Sequence, residues 1–233
     1  DKIDLPQMLQ NKLFFHYTEE KRGNNNEHFS TSEEVKEFWT DGCAILEYLK
    51  KKRSGYFSKK GWYLVGDEVP ITLTPIAGYE NTVFKGYLDL VLYHEPTDTF
   101  EIIDFKTSKS GWGDWAKKDE MKQMQLILYK DFFHKQFDIP LDSINIKFLI
   151  VRRKGGINPY TEGQISRFQE FIPASGKVKI NKSRQAVHQF ITECFDSNGK
   201  YLPKDHPAKP SKHNCRFCPF KDKPDLCSQG INE

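Results

Sequence analysis

Hydrophobic residues recur along this chain at two spacings, which predict its helices and its strands. Helical spacing is found over residues 31–51, 116–137 and 183–195, and strand-like patterns cover 63–73, 144–153 and 165–172. The strongest helical stripe belongs to the second helix and consists of Met121, Met124, Gln125, Leu128, Tyr129, Phe132 and Phe133. The residues before 31 are polar and only weakly periodic, so we interpret them as a separate segment.

Two further strands form the centre of the pattern. They contain Gly86-Tyr87-Leu88-Asp89 and Ile103-Asp104-Phe105-Lys106, with a turn-forming run between them, and this layout predicts a β-hairpin. If the hairpin is symmetric about Pro96-Thr97, Asp89 lies opposite Asp104. Directly opposed residues of an antiparallel pair point to the same face, as do residues two apart on one strand. We therefore expect Asp89, Asp104 and Lys106 to converge on one face.

Two opposed carboxylates repel each other, and burying them costs several kcal/mol unless a cation or a donor lies between them. The alternative is a pair of surface aspartates on a solvated sheet face, which is common in antiparallel sheets. The same face is expected to carry apolar neighbours, namely Tyr87, Val91, Phe100 and Ile102. These neighbours favour a divalent metal site with a lysine beside it.

The order of elements is helix, β-meander, helix, strand, strand, helix, which is typical of an α/β core with a mixed sheet. Thr31-Ser32-Glu33-Glu34 is a helix-start signal. On these grounds we divide the chain into a polar N-terminal segment (1–30), a core (31–200) and a cysteine-rich tail (201–233).

Composition narrows the class of protein. Charged residues make up 29% and the mean hydropathy is −0.68, and no apolar run approaches the ~20 residues of a membrane span. A soluble protein without a membrane partner is expected, and the first residues lack the layout of a signal peptide. The net charge of +3 gives little overall steering, but local clusters such as 50–53 and 152–154 leave open either a basic groove or a solvated surface. Five cysteines, three of them within 215–227, favour the cytoplasm or another reducing intracellular compartment.

The hairpin resembles a known nuclease motif. Asp89, followed by Asp104-Phe105-Lys106 on the next strand, is similar to the PD-(D/E)XK nuclease superfamily. Gln125 and Tyr129 match the Q-x-x-x-Y helix motif of its RecB-like exonuclease branch. The resemblance covers roughly residues 35–155 and implies a restriction-endonuclease-like fold. That branch often has a histidine on its N-terminal helix, where this chain has Leu46.

The resemblance also implies an activity, a cofactor and a role for each residue. The activity is hydrolysis of DNA, by an exonuclease that acts on ends or single strands with Mg²⁺ or Mn²⁺. The metal ligands would be Asp89, Asp104 and the carbonyl of Phe105, while Lys106 would orient or deprotonate the attacking water. Gln125 and Tyr129 would contact the DNA backbone near the cut. Glu68 is an acidic residue that could reach the metal directly or through water.

Other residues are candidates for contact with the nucleic acid. Trp112 and Trp115 lie on a glycine-flanked loop after the second strand. Trp112 is as well suited to stacking on an unpaired base as to capping the core, whereas we expect Trp115 to cap the core. Contacts to the DNA backbone are expected from Thr107, Ser108, Arg152 and Arg153.

The tail contains a Cys-x-x-Cys motif, Cys215 to Cys218, with Cys227 nearby. Such spacing indicates a metal site more often than a short disulfide. We favour a structural zinc completed by His213, with Cys194 as another possible fourth ligand. The alternative is a [4Fe–4S] cluster as in several RecB-like nucleases, although the only upstream cysteine, Cys43, is interpreted as a core residue.

Two rival functions remain open at this point. The chain could be a non-catalytic nucleic-acid-binding subunit of a recombination or DNA-processing complex, or its tail could dock a protein. A helicase or a recombination protein is a possible partner. The sequence has no phosphate-binding Gly-x-x-x-x-Gly-Lys-Ser/Thr loop of its own, so any ATP-driven unwinding would come from another protein.

Overall fold

The computed structural model of the chain describes residues 3–57, 59–155, 163, 165–203, 208–216 and 218–227. The helices of this part are α1 (Leu5–Gly23), α2 (Ser32–Tyr56), α3 (Asp114–Lys118), α4 (Glu120–Phe137), α5 (Lys177–Cys194) and α6 (Lys212–Cys215). The strands are β1 (Trp62–Leu73), β2 (Phe84–His94), β3 (Thr99–Ser108), β4 (Ile144–Arg152) and β5 (Phe168–Phe171). None of the described helices is long and apolar enough to cross a membrane.

The five strands form one sheet in the order β1-β2-β3-β4-β5. Neighbouring strands run antiparallel except β3 and β4, which are parallel. A parallel pair needs a long crossover, usually helical, and α4 lies in this crossover. The predicted α/β class with a mixed sheet is therefore confirmed, and the arrangement is consistent with a restriction-endonuclease-like fold.

Hydrophobic clusters cover both faces of the sheet. On one face, α4 packs through Leu126 and Phe132 against Ile102 and its neighbours. On the other face, residues of α2 such as Leu49 pack against Ile103. Successive residues of β3 thus alternate between the two clusters, as the period of a strand requires.

Local signals determine where the main helices begin. Thr31 Oγ1 accepts a hydrogen bond from the backbone N–H of Glu34, and the Glu34 carboxylate accepts one from the N–H of Thr31, which is the predicted capping box. Helix α2 then continues five residues beyond the expected end at Lys51. Helix α4 begins at Glu120 rather than 116, because the Asp119 side chain accepts from the first backbone N–H groups of this helix.

The structure also differs from the sequence-based expectation at α1, α5 and β5. Residues 5–23 form α1, whose start is marked by Asp4 as N-cap and by a proline in the first turn. None of the residues of α1 is buried. Helix α5 begins at Lys177, six residues before the predicted Ser183, and β5 is shorter than predicted at both ends.

Candidate active site

The strands β2 and β3 pair in the predicted register, from His94–Thr99 to Leu90–Ile103. The pairing stops there, although β2 continues beside β1 and β3 continues beside β4. We call the opening beyond Leu90 and Ile103 the fork. Asp89 is the next residue of β2 into the fork, and its Oδ2 accepts a hydrogen bond of 2.7 Å from the backbone N–H of Phe105. The carboxylate thus takes the place of a backbone carbonyl between the separating strands.

The alternation of β2 breaks at Asp89. Leu88 and Val91 both belong to the cluster under α4, although they are three residues apart, and Leu90 belongs to the cluster under α2. Asp89 also borders a cavity of about 550 Å³ between α2 and the sheet. The expectation that three functional side chains share one face is therefore met by Asp104 and Lys106, whereas Asp89 approaches them from within the fork.

Asp104 is a buried carboxylate on the central strand, with 2% of its surface exposed. Its Oδ2 lies 2.8 Å from Lys106 Nζ, yet no aligned hydrogen-bond donor serves this oxygen among the described residues. Burial raises the pKa of Asp104, the neighbouring Lys106 opposes that rise, and the charge of Asp89 adds to it. A buried carboxylate that lies beside a second carboxylate, with one ion pair to Lys106, is suited to a cation.

Lys106 is held by a chain of hydrogen bonds that leads to α4. Its Nζ donates to Gln125 Oε1 at 3.1 Å, and Gln125 Nε2 donates to the hydroxyl of Tyr129 at 3.2 Å. Gln125 and Tyr129 share one helix face because they are four residues apart. The ring of Phe148 on β4 lies under the ammonium, 5.9 Å from Nζ to the centroid.

Sequence reasoning missed one residue of this site, Gly86. A Cβ at this position would lie 3.0 Å from Tyr129 Cε1 and 3.2 Å from Phe84 Cε1, closer than side-chain packing ordinarily allows. Because Gly86 has no side chain, the buried Tyr129 ring can occupy the space beside it. The sequence did contain a signal for this contact, because a glycine inside a strand often marks a position where another group approaches the backbone closely.

The donor set fits Mg²⁺ or Mn²⁺. Both ions prefer oxygen ligands, and Mg²⁺ is usually bound through one or two carboxylates while it keeps several waters. Asp89 and Asp104 provide two such carboxylates, and the described residues contain no group of three or more His, Cys, Asp or Glu side chains that could hold a metal. Any further ligands would thus come from backbone carbonyls such as that of Phe105, from water or from the substrate.

Glu68 lies level with Asp89 in the sheet, since the flanking pairs are Asp67–Leu90 and Val69–Leu88. Its backbone is in the left-handed region with φ of 49°, and its side chain is exposed. Such a conformation costs a non-glycine residue about 1 kcal/mol. Glu68 is therefore held beside the fork in an unusual conformation.

Most of the predicted nucleic-acid contacts have other partners in the structure. Ser108 Oγ exchanges two hydrogen bonds of 3.0 Å with the backbone of Gly111. Arg152 donates to the carbonyl of Ser166. Arg153 lies 3.7 Å from Glu37 and 3.8 Å from a second acidic residue of α2. These three side chains secure loops and helix α2, while Thr107 is exposed beside Lys106.

The two tryptophans lie in different surroundings. Trp112 packs on Phe148 and Phe171, with ring centroids 5.2 and 6.2 Å apart, and its backbone exchanges hydrogen bonds with Gln169. Trp112 therefore caps the core. Trp115, which was expected to do so, is 66% exposed.

The predicted metal site of the tail is not supported. Cys215, Cys218 and Cys227 are free thiols, and they form no metal-binding group within the part of the chain that the structure describes. The side chain of His213 lies outside the described residues. Neither Cys43 nor Cys194 supplies the missing ligand, whereas a structural zinc needs four ligands in a tetrahedron. The same result leaves the iron–sulfur alternative without support.

Comparison with protein families identifies the superfamily of this chain. The sequence matches the PD-(D/E)XK nuclease superfamily over residues 17–223, a range that includes the hairpin, Lys106 and the Q-x-x-x-Y helix. A search of curated proteins found no match. Members of the superfamily are nucleases that usually use Mg²⁺ or Mn²⁺, in agreement with the carboxylates and the lysine of the fork. The chain therefore belongs to the PD-(D/E)XK nuclease superfamily.

Proposed function

We propose that this protein is a Mg²⁺- or Mn²⁺-dependent deoxyribonuclease, and that it acts as an exonuclease on DNA ends or single strands. The observation that carries the proposal is the combination of two carboxylates at the fork with a lysine aligned by Gln125. The superfamily supports a nuclease. The choice of DNA and of an exonuclease rests on the Q-x-x-x-Y pair, Gln125 and Tyr129.

Asp89 and Asp104 would hold the metal, and Phe105 would add its backbone carbonyl. A divalent cation bound there supplies a water of lowered pKa and polarises the scissile phosphate. The hydrogen bond to Gln125 uses one of the three ammonium protons of Lys106. The remaining protons can orient the attacking water and offset the negative charge that develops on the phosphoryl oxygens.

Gln125 acts as a positioning residue in this proposal. Its amide oxygen accepts from Lys106 and its amide nitrogen donates to Tyr129; because the ammonium has only donors, Lys106 fixes which end of the amide faces it, and the tyrosine hydroxyl accepts from the other end. Gln125 is itself exposed and is free to contact the DNA backbone on its outer side. Loss of either residue should misplace the ammonium group while the carboxylates stay in position.

The test is digestion of end-labelled single- and double-stranded DNA with Mg²⁺, Mn²⁺ or EDTA. Wild type is compared with Lys106→Ala and with Lys12→Ala, a control that removes an exposed lysine of α1. We expect metal-dependent release of short products that falls at least ~10²-fold in Lys106→Ala and is unchanged in Lys12→Ala.

Three outcomes would contradict parts of the proposal. Cutting of circular DNA would indicate an endonuclease, and cutting of RNA alone would replace the substrate. Binding without cleavage of any substrate would favour the non-catalytic subunit.

A further inference from the structure

A cavity of about 430 Å³ lies beside α4 and α5, next to the loop that connects β1 and β2. Lys135 of α4 and two residues of α5, Arg184 and His188, line it together with the apolar run 75–77. None of the described residues that line it is acidic. Its volume lies within the ~300–1,000 Å³ that is typical of small-molecule sites, so the cavity is suited to a small anionic ligand.

The two cations of the cavity are held by one buried carboxylate. Asp131 is 1% exposed, and it accepts a hydrogen bond of 3.0 Å from Arg184 Nε and another from a terminal nitrogen of the same guanidinium. Lys135 Nζ lies 2.9 Å from Asp131 Oδ2. Because one negative charge is shared by two positive charges, this wall of the cavity keeps an excess positive charge.

Both side chains keep donors for a ligand. Among the described residues, Arg184 Nη1 has no hydrogen-bond partner, and the contact of Lys135 with Asp131 leaves further protons on the ammonium. Guanidinium and ammonium groups are the usual side-chain partners of phosphate. Since Asp131 already orders these two long side chains, a ligand that binds them is spared much of the entropic cost of fixing them.

The apolar wall of the cavity is a hydrogen-bonded turn. The N–H of Tyr79 donates to the carbonyl of Ile76 at 3.3 Å, and Gly78 has a φ of 85°, a conformation that favours glycine. The carboxylate of Glu80 accepts from the N–H of Gly78 at 2.8 Å, which holds this acidic side chain on the turn. The run 75–77 therefore offers a fixed apolar surface to a ligand that is larger than phosphate alone.

This cavity is separate from the fork. Lys135 follows Gln125 by ten residues on α4, which corresponds to ~15 Å along the helix axis. The Debye length at physiological ionic strength is ~8 Å. A change of charge in the cavity should therefore have little effect on the carboxylates and the lysine of the active site, and the two sites can be tested independently.

We infer that this cavity binds a nucleotide through its phosphate, with Lys135 and Arg184 as donors to the phosphate oxygens and the run 75–77 against the sugar or the base. The exposed His188 can add a donor from its ring. The ligand is a phosphate ester, either in a free nucleotide or in a DNA strand, and the test distinguishes these sources. The inference goes beyond the proposed function and does not depend on it, because it requires neither a metal nor cleavage.

The test uses the full chain with Lys106→Ala in EDTA, which removes both the lysine and the metal of the active site. This reference protein is titrated calorimetrically with deoxyadenosine monophosphate, with deoxyadenosine and with inorganic phosphate. Two substitutions are then added separately. Lys135→Gln removes one cation and leaves Asp131 bonded to Arg184, whereas Ala77→Asp adds a carboxylate to the lining and leaves all the charged groups of the cavity in place.

Each substitution has a matched control. Ala77→Asn has the shape of Ala77→Asp without its charge, and both residue types are well tolerated in turns. Lys12→Gln removes an exposed lysine of α1. We expect Lys135→Gln and Ala77→Asp to weaken binding of the monophosphate at least ~10-fold, or ~1.4 kcal/mol, which is near the lower end of what a hydrogen bond to a charged group contributes. Both controls should bind as the reference protein does.

The other ligands identify which part of the nucleotide is recognised. Inorganic phosphate should bind more weakly than the monophosphate and show the same dependence on Lys135, while deoxyadenosine should not bind measurably. The inference is overturned if the reference protein does not bind the monophosphate, or if Lys135→Gln and Ala77→Asp bind it normally. Equal losses in Ala77→Asp and Ala77→Asn would also overturn it, since the effect would then be steric. A lower Tm of Lys135→Gln at unchanged affinity would limit Lys135 to joining α4 to Asp131.

Binding of labelled single-stranded DNA to the same proteins separates the two sources of the phosphate. If the phosphate belongs to the strand, Lys135→Gln and Ala77→Asp weaken DNA binding as well, and the monophosphate competes with DNA. If it belongs to a free nucleotide, DNA binding is unchanged and both ligands bind together. Either result supports the phosphate site. Cleavage by wild type with Mg²⁺ is measured separately, so failure of the nuclease proposal would leave this inference standing, and the reverse holds as well.

Discussion

Replacing Asp104 with asparagine should stabilise the metal-free protein and at the same time abolish its activity. The carboxylate is 2% exposed, and its Oδ2 has no aligned donor among the described residues. A buried polar group without a hydrogen-bond partner costs ~1–3 kcal/mol, and a charged one costs more. Lys106 compensates part of this cost from 2.8 Å, and after the substitution it keeps its bond to Gln125 and its access to water.

The expected gain is modest because the new amide nitrogen also needs an acceptor. We expect the free energy of unfolding to rise by ~1 kcal/mol, which corresponds to a rise of ~2–4 °C in Tm for a chain of this size. The assay is calorimetric unfolding in EDTA at neutral pH. Asp222→Asn, an exposed aspartate on the tail, is the control and should leave Tm unchanged.

Addition of Mg²⁺ provides the second half of this experiment. A ligand that binds only the folded state stabilises it by ~2.7 kcal/mol at a hundredfold excess over Kd. Wild type should therefore gain stability with Mg²⁺, whereas Asp104→Asn should gain little. A lower Tm of Asp104→Asn in EDTA would refute the reasoning, since it would mean that the ion pair with Lys106 outweighs the desolvation of the carboxylate.

Two further predictions concern positions behind the site. Burial alone would raise the pKa of Asp131, but hydrogen bonds from Arg184 and from a lysine one turn away outweigh it, so this pKa lies below its ordinary value. The stabilisation by these ion pairs is present above the unfolded-state pKa of Asp131 near 3.8 and is lost as pH falls through its folded-state pKa. Asp131→Asn should thus lower the free energy of unfolding by ~1–3 kcal/mol at pH 7. Equal denaturation midpoints of wild type and Asp131→Asn at pH 7 would contradict this. Gly86→Ala should displace the Tyr129 ring and lower the free energy of unfolding by ~1 kcal/mol or more. We also expect a fall in kcat at unchanged metal affinity. Full activity of Gly86→Ala would show that the ring does not help to position Gln125.

Much of the site could be predicted from the sequence because its determinants are local. The register of the hairpin follows from a short turn, and it brings Asp89 beside the strand that carries Asp104. The i, i+4 spacing places Gln125 and Tyr129 on one helix face, where the structure joins them by a hydrogen bond. Alternation within strands and the capping box at Thr31 likewise depend on residues a few positions apart.

Other features depend on contacts between distant parts of the chain, which the sequence does not display. The fork exists because β2 remains paired with β1 while β3 remains paired with β4. As a result, Asp89 does not lie on the same sheet face as Asp104 and Lys106. Burial of Trp112 was decided by Phe148 and Phe171, and the partners of Arg153 lie on a helix more than a hundred residues earlier. The sequence by itself determined the elements, the hairpin register and the identity of the reactive side chains, because each of these follows from short-range geometry. Tertiary packing alone decided which of those side chains are buried, neutralised or left open to a substrate, because desolvation and charge pairing depend on what the rest of the chain places beside them.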